Sequence, residues 1–143
     1  MVTTIRTTIP NLMDQFYKLK RKFPSLEGEV YKNKLRWVAN LQPSSLSEKY
    51  KVQLEYSLEK SPLVFVKSPK IVRRGEECIP HLYSDGSLCL YLPRAQEWEK
   101  SMYLADTIVP WTAEWLFHYE LWHATGEWLG GGVHLENTRK NKN

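Results

Sequence analysis

The strictest pattern in the sequence is an alternation of apolar and polar residues at positions 50–56. Tyrosine, valine and leucine fill every second position, and lysine, glutamine and glutamate fill the positions between them. Because successive side chains of a strand point to opposite faces, this pattern predicts a β-strand with one face against a core. A single strand is not stable in water, so the chain must supply neighbouring strands and a cover for the apolar face.

Three further strands are predicted around this one. Residues 26–31 and 35–41 precede it and residues 63–66 follow it, all rich in apolar or β-branched positions. The turn-forming runs Gln42-Pro43-Ser44-Ser45 and Ser61-Pro62 separate the segments. Short connections between successive strands favour an antiparallel meander of four strands.

A helix is predicted on the N-terminal side of the meander, over residues 9–23. Asn11 is a candidate N-cap, and Pro24 ends the helix because proline disfavours helical geometry in the residue before it. Apolar residues at helical spacing form the inner face: Leu12, Phe16, Leu19 and Phe23.

A longer helical region is predicted after residue 106. Asp106 or Thr107 can cap it, Pro110 falls in its first turn, and Gly126 suits a C-terminal cap. Its aromatic stripe consists of Trp111, Trp115, Tyr119 and Trp122, widened by Phe117, Leu121 and Ala124. An aromatic stripe of this kind is usually core, but tryptophans such as Trp111 can also form a docking surface. Helix, meander and helices together predict an α+β fold.

Length and composition fit one domain. The 143 residues are 42% hydrophobic and 25% charged, which is ordinary for a globular protein, so residues 1–135 are predicted to be one domain and residues 136–143 a polar tail. No apolar run approaches the ~20 residues needed to span a membrane, and no secretory signal pattern opens the sequence. Two cysteines are too few for a disulfide scaffold, so the cytoplasm is the expected compartment.

The formal net charge of +4 is weak evidence for a nucleic-acid partner. Basic residues occur early, in the middle and at the end of the chain, mixed with acidic ones. Mixed surface charge of this kind favours solvated faces over a nucleic-acid patch. A basic nucleic-acid-binding domain remains a third hypothesis, without a recognisable aromatic-plus-basic strand motif.

The run from Cys78 to Tyr91 is where chemistry is expected. Asp85-Gly86 marks a tight turn, because glycine adopts positive φ without steric cost, and a short extended run follows that carries Cys89. A thiol in this position is predicted to be at least partly exposed. The alternatives are a small buried side chain or a disulfide between Cys78 and Cys89.

Zinc binding is a further alternative for the same residues. Cys78-x-x-His81, Cys89 and His134 offer four potential ligands, but no second clean pair is present, so no metal or other cofactor is expected. His118 and His123 are five residues apart, which is the wrong spacing for one helical face.

His81, Asp85-Gly86 and Leu88-Cys89-Leu90 resemble the active-site segment of ubiquitin-conjugating (E2) enzymes. That family has a His-Pro-Asn signature, a loop ending in Asp-Gly and then the catalytic cysteine; here the Pro-Asn pair is missing and the loop is two residues shorter. The runs at residues 111–116 and 128–132 resemble the stand-alone bacterial E2-like proteins of CBASS-type antiphage operons. The resemblance is specific from about residue 78 to residue 134.

The resemblance implies a ubiquitin-conjugating (E2-like) fold in which Cys89 is a nucleophile that forms a thioester. His81 then orders the active-site loop, and Asp85 is a turn residue that could also steer an incoming amine. His134, after the glycine run, either folds over Cys89 or belongs to a flexible exit to the tail. Since the family's asparagine is absent, backbone amides near Gly86 or another side chain would have to stabilise an oxyanion.

The partner implied by the resemblance is a cGAS/DncV-like nucleotidyltransferase whose C-terminal carboxyl is the acyl donor. The sequence has no nucleotide-binding glycine loop, so another enzyme is expected to activate that carboxyl. The alternative is a non-catalytic E2-like module that only docks the nucleotidyltransferase.

Overall fold

A computed structural model of the chain describes residues 8–91 and 97–130. The elements, in chain order, are α1 (Leu12–Lys22), β1 (Glu27–Tyr31), β2 (Lys34–Leu41), β3 (Tyr50–Ser57), β4 (Lys60–Ser68) and α2 (Ile108–Thr125). The four strands form one antiparallel sheet in the order β1-β2-β3-β4, which confirms the predicted meander and the α+β class. After residue 106 the described part contains one helix, where several were predicted. The predicted tail and the end of the predicted domain lie outside the described residues.

Helix α1 is capped and ended by the residues that the sequence indicates, but it begins at Leu12 rather than at residue 9. The Asn11 side chain accepts a hydrogen bond from the Asp14 amide at 2.8 Å, and the Asp14 carboxylate accepts one from the Asn11 amide at 3.0 Å. This reciprocal capping box satisfies two amides that the first helical turn leaves unpaired. Phe23, the residue before Pro24, is already extended, so proline ends the helix as predicted.

The sheet has a clear inner face. Trp37 pairs with Leu54 and Ala39 pairs with Val52, so the buried residues of β2 and β3 lie side by side. The predicted inward residues of β3 are all buried: Tyr50, Val52, Leu54 and Tyr56. The alternation at positions 50–56 therefore predicted the strand and its face correctly.

The prediction that Ser61-Pro62 separates two strands was wrong, because both residues lie inside β4. Ser57 pairs with Lys60 while Glu55 pairs with Leu63, so β4 carries one extra residue at this point. A bulge on an edge strand tolerates proline, because the missing N–H breaks no regular ladder bond.

Helix α2 contributes Trp115, Tyr119 and Trp122 to the same buried core as the inner residues of the sheet, while Trp111 is half-buried. Phe117 and Ala124 are exposed, so the prediction that they widen the aromatic stripe was wrong. Each lies two residues from a buried tryptophan, and two residues of α-helix rotate a side chain by roughly 200° to the opposite face. Gly126 has φ 86° and caps the helix as predicted.

The N-terminus of α2 is held by tertiary contacts rather than by a side-chain cap. Thr107 is the N-cap residue, but its hydroxyl donates to the Tyr103 carbonyl and accepts from the Trp98 indole. The Asp106 carboxylate pairs instead with Lys18 and Lys22 on α1, at 2.7 and 2.8 Å. Thr107 therefore occupies the predicted N-cap position, but its side chain makes no capping hydrogen bond.

A buried glutamine joins α1 to the segment before α2. The Gln15 amide donates to the Met102 carbonyl at 2.9 Å, and its carbonyl accepts from the Leu104 amide at 2.8 Å. Because Gln15 is fully buried, these bonds satisfy two backbone groups that water does not reach. None of the helices in residues 8–91 and 97–130 is both long enough and apolar enough to cross a membrane.

Candidate active site

Residues 78–91, called the Cys89 loop below, form a tight reversal on the edge of the sheet. Leu82 and Leu88 form an isolated antiparallel bridge, and the Tyr83 amide donates to the Ser87 carbonyl at 2.9 Å. Gly86 closes the turn with φ 93° and donates its amide to the Tyr83 carbonyl. The predicted turn is therefore present, and the extended run after it contributes one bridge rather than a regular strand.

Asp85 stabilises the turn. Its Oδ1 atom accepts hydrogen bonds from the amide of Ser87 at 2.8 Å and from the Ser87 hydroxyl at 2.6 Å. These two donors, the hydroxyl first, lower the pKa of the Asp85 carboxyl below its ordinary value. Asp85 is exposed, so a second role toward an incoming amine stays a prediction.

The loop is tied both to β4 and to α2. The Leu88 amide donates to the Val64 carbonyl of β4 at 2.9 Å. The His81 carbonyl accepts two bonds, one from the Cys89 amide and one from the Trp115 indole, each at 2.9 Å. His81 has φ 55°, a conformation that costs energy for a non-glycine residue and that these contacts hold in place.

The ring of His81 is buried in an aromatic cluster. Its centroid lies 5.0 Å from the ring of Trp128, which in turn lies 5.3 Å from Trp115. Trp115 stacks on Tyr119 at 5.6 Å with an interplanar angle of 9°. The geometry therefore gives His81 a part in fixing the Cys89 loop against α2, and its role in the reaction stays a prediction.

Cys89 is 7% exposed as a residue, so the prediction that its thiol is at least partly exposed was wrong. The turn places residue 89 between the His81 backbone and the sheet edge, where neighbouring side chains cover it. The thiol Sγ lies 3.2 Å from the Tyr83 hydroxyl and 3.5 Å from the Tyr91 carbonyl. Burial is the main factor, and it raises the pKa of the Cys89 thiol. The charge of Glu97 raises this pKa further, whereas hydrogen bonds with the Tyr83 hydroxyl and the Tyr91 backbone lower it.

The two cysteines should differ in their reactivity. Cys78 is exposed, whereas Cys89 is buried with a raised pKa, and the thiolate is the reactive form. Iodoacetamide near neutral pH should therefore label Cys78 first, and the rate at Cys89 should keep rising with pH above the ordinary range for a thiol. Peptide mass spectrometry over a pH series measures both rates, and faster labelling of Cys89 would contradict the described environment.

Four backbone amides at and after Gly86 are already engaged within the loop and its anchor, which bears on the expectation that amides near Gly86 stabilise an oxyanion. The amides of residues 86–89 donate, in order, to Tyr83 O, Asp85 Oδ1, Val64 O and His81 O. All four bonds are 2.8 or 2.9 Å long and hold the loop together. These four amides therefore stay with the loop, and the Tyr83 hydroxyl beside the thiol is a candidate donor that sequence reasoning missed.

The remaining predicted site residues do not all come together. Trp111 is half-buried, with its ring 6.1 Å from that of Tyr91, so it lies near the end of the Cys89 loop. His134 lies outside the described residues. Among the residues that the structure describes, no three His, Cys, Asp or Glu side chains are grouped to hold a metal ion. Cys78 and Cys89 both lie in the described part and are not joined by a disulfide.

Comparison with known proteins adds one finding. A family model described as Type II CBASS E2 protein matches residues 15–135. The match starts inside α1, includes the sheet and the Cys89 loop, and continues beyond α2. A comparison with curated proteins gives no match. Since the family model covers most of the sequence, the chain belongs to the family of Type II CBASS E2 proteins.

Proposed function

We propose that Cys89 accepts the C-terminal acyl group of a cGAS/DncV-like nucleotidyltransferase as a thioester, and that the conjugate regulates cyclic-nucleotide signalling against phage. Family membership supports the broader part of this proposal, an E2-like role in antiviral defence. The observation that carries the finer part is the Cys89 thiol, which follows a fixed turn and touches a hydroxyl at 3.2 Å.

The reaction needs an activated acyl donor, such as an acyl adenylate or a thioester on an activating enzyme. Cys89 loses its proton to solvent, and the thiolate attacks the acyl carbon to form a tetrahedral oxyanion. This attack forms the new C–S bond, and collapse of the oxyanion then restores the C=O double bond and breaks the bond to the leaving group, which departs with its electron pair. The product is a thioester that remains reactive toward amines.

The surroundings of the thiol leave one side from which an acyl donor can approach it. Tyr83 touches Sγ and is 41% exposed, so solvent reaches the neighbourhood of the thiol along this side chain. On the other sides Cys89 is held by the His81 carbonyl and the Tyr91 backbone. An acyl group would therefore approach from the side of Tyr83.

Co-expression with the nucleotidyltransferase tests the proposal. Intact-mass spectrometry without reductant should show an adduct equal to the sum of the two chains less one water. Hydroxylamine or excess thiol should remove it, because thioesters react with both and amides do not. An adduct that resists hydroxylamine, or no adduct when the activating enzyme is also present, would contradict thioester formation at this site.

The burial of Cys89 favours a second candidate, the non-catalytic docking module. A buried cysteine whose thiol has a raised pKa behaves in the resting state like a small apolar side chain. In that case native mass spectrometry would show a complex with the nucleotidyltransferase that dissociates completely on denaturation.

A further inference from the structure

We propose that the Tyr83 hydroxyl is a catalytic residue that donates a hydrogen bond to the Cys89 thiolate and then to the oxyanion of the tetrahedral intermediate. This inference rests on the proposed function, because it concerns the same acyl transfer. It assigns to Tyr83 the task for which this chain lacks the asparagine of the E2 signature.

The first argument is position. The Tyr83 hydroxyl lies 3.2 Å from Sγ, within the distance of a sulfur hydrogen bond. In the resting thiol the S–H group donates to the tyrosine oxygen. Once the thiol has ionised, the direction reverses, and the hydroxyl donates to the negative sulfur. An oxyanion on the attacked carbon is only two bonds from Sγ, so the same hydroxyl lies beside the atom on which the charge develops.

The second argument is that Tyr83 is held in place before any substrate arrives. Its amide donates to the Ser87 carbonyl, and its carbonyl accepts from the Gly86 amide, so its backbone is fixed on both sides of the turn. The bridge between Leu82 and Leu88 closes the stem directly below it. A donor fixed in this way costs little reorganisation when charge appears, and this is the property that makes oxyanion donors effective.

The third argument is that four neighbouring backbone donors are already used. The four amides of residues 86–89 bind the loop's own acceptors and its anchor on β4, and freeing one would break the turn or the anchor. The Asp85 carboxylate, with its lowered pKa, only accepts hydrogen bonds. Within the described part of the Cys89 loop, Tyr83 is therefore the side-chain hydroxyl in contact with the reacting atom.

The protonation state of Tyr83 fits a donor and not a base. Burial, followed by the hydrogen bond with Cys89, raises the pKa of Tyr83 well above its ordinary value. The phenol therefore keeps its proton through the reaction, and the proton lost by Cys89 goes to solvent. The hydroxyl contributes only a hydrogen bond, so Tyr83 neither gains nor loses a proton during acyl transfer.

Tyr83→Phe tests the inference, because it removes the hydroxyl and keeps the ring. Single-turnover thioester formation, with activating enzyme and nucleotidyltransferase in excess, should slow by about 100-fold, at the lower end of the loss for one oxyanion donor. Alkylation of Cys89 in the chain alone should also need a higher pH, since the hydrogen bond that favours the thiolate is gone. Tyr31→Phe is the matched control, because Tyr31 is an exposed tyrosine on β1 and should react at the wild-type rate.

The outcomes separate the two proposals. Slow thioester formation at an unchanged melting temperature, together with the shifted alkylation profile, supports the role of Tyr83. Thioester formation at the wild-type rate in Tyr83→Phe overturns this inference and leaves the proposed function standing. In a third outcome, wild type forms no thioester but Tyr83→Phe still shifts the alkylation profile. This result would support the contact between Tyr83 and the thiolate, and it would contradict both the proposed function and the oxyanion step.

Discussion

Cys89→Ala should abolish the covalent adduct with the nucleotidyltransferase completely. Alanine has no nucleophile, so the tetrahedral intermediate cannot form at this position. The substitution removes one sulfur atom from a buried site, and we expect it to cost about 1 kcal/mol of unfolding free energy, which leaves the fold intact. Intact-mass spectrometry of the co-expressed proteins measures the adduct, and urea unfolding checks the fold.

Three further variants make this prediction specific. Cys78→Ala should leave the adduct unchanged, because Cys78 is exposed and lies before the turn that presents Cys89. Cys89→Ser and Cys89→Lys could trap an ester or an amide, which should survive thiol reductants because their leaving groups are weaker than a thiolate. Non-covalent binding should persist in Cys89→Ala, since the docking surface predicted to include Trp111 is unchanged by this substitution.

Phage protection decides between the two candidate functions. If Cys89→Ala protects cells as well as wild type does, the thioester is not needed and the docking module is the better account. If protection changes while non-covalent binding is retained, acyl transfer at Cys89 is the regulatory event. The two readouts must be measured on the same variants, because loss of folding would change both.

The fold was largely predictable because its signals are local. Apolar residues at every second position identified β3, and Asn11 and Pro24 marked the ends of α1. The error at Ser61-Pro62 has a tertiary cause. Proline is a reliable break only in a central strand, and the position of β4 at the edge of the sheet is not visible in the sequence.

The candidate site was predictable only in part. The Asp85-Gly86 turn is a local feature, and the structure has it where the sequence indicated. The packing of the Cys89 loop also depends on residues far along the chain, because the loop is bonded to Val64 on β4 and to Trp115 on α2. Turn chemistry predicts where a side chain is presented, but not what covers it.

Tyr83 was missed for a related reason. It lies two residues after His81 and six before Cys89, and the resemblance assigned no function to that position. The bridge between Leu82 and Leu88 brings the two sides of the turn together. A hairpin with the three-residue loop 84–86 places Tyr83 opposite Ser87, two residues from Cys89, and this is the signal that could have suggested a hydroxyl near the thiol.

Trp115→Phe should lower the unfolding free energy by about 2–4 kcal/mol, because it leaves a cavity and removes a donor from a buried carbonyl. Trp115 is buried in the core, and its indole is one of two donors to the His81 carbonyl. Urea unfolding monitored by circular dichroism measures the loss. Trp111→Phe is the matched control on the same helix, and its cost should be smaller because Trp111 is only half-buried.

The same variant should also change the reactivity of Cys89. The bond from Trp115 to His81 is a direct link between α2 and the Cys89 loop, and its loss should loosen the loop. A looser loop exposes the thiol and relieves the burial that raises its pKa, so iodoacetamide should label Cys89 faster in Trp115→Phe than in Trp111→Phe. Equal labelling rates, despite a difference in stability, would show that the loop is fixed by β4 and its own turn. In that case α2 would support the core without controlling access to the thiol.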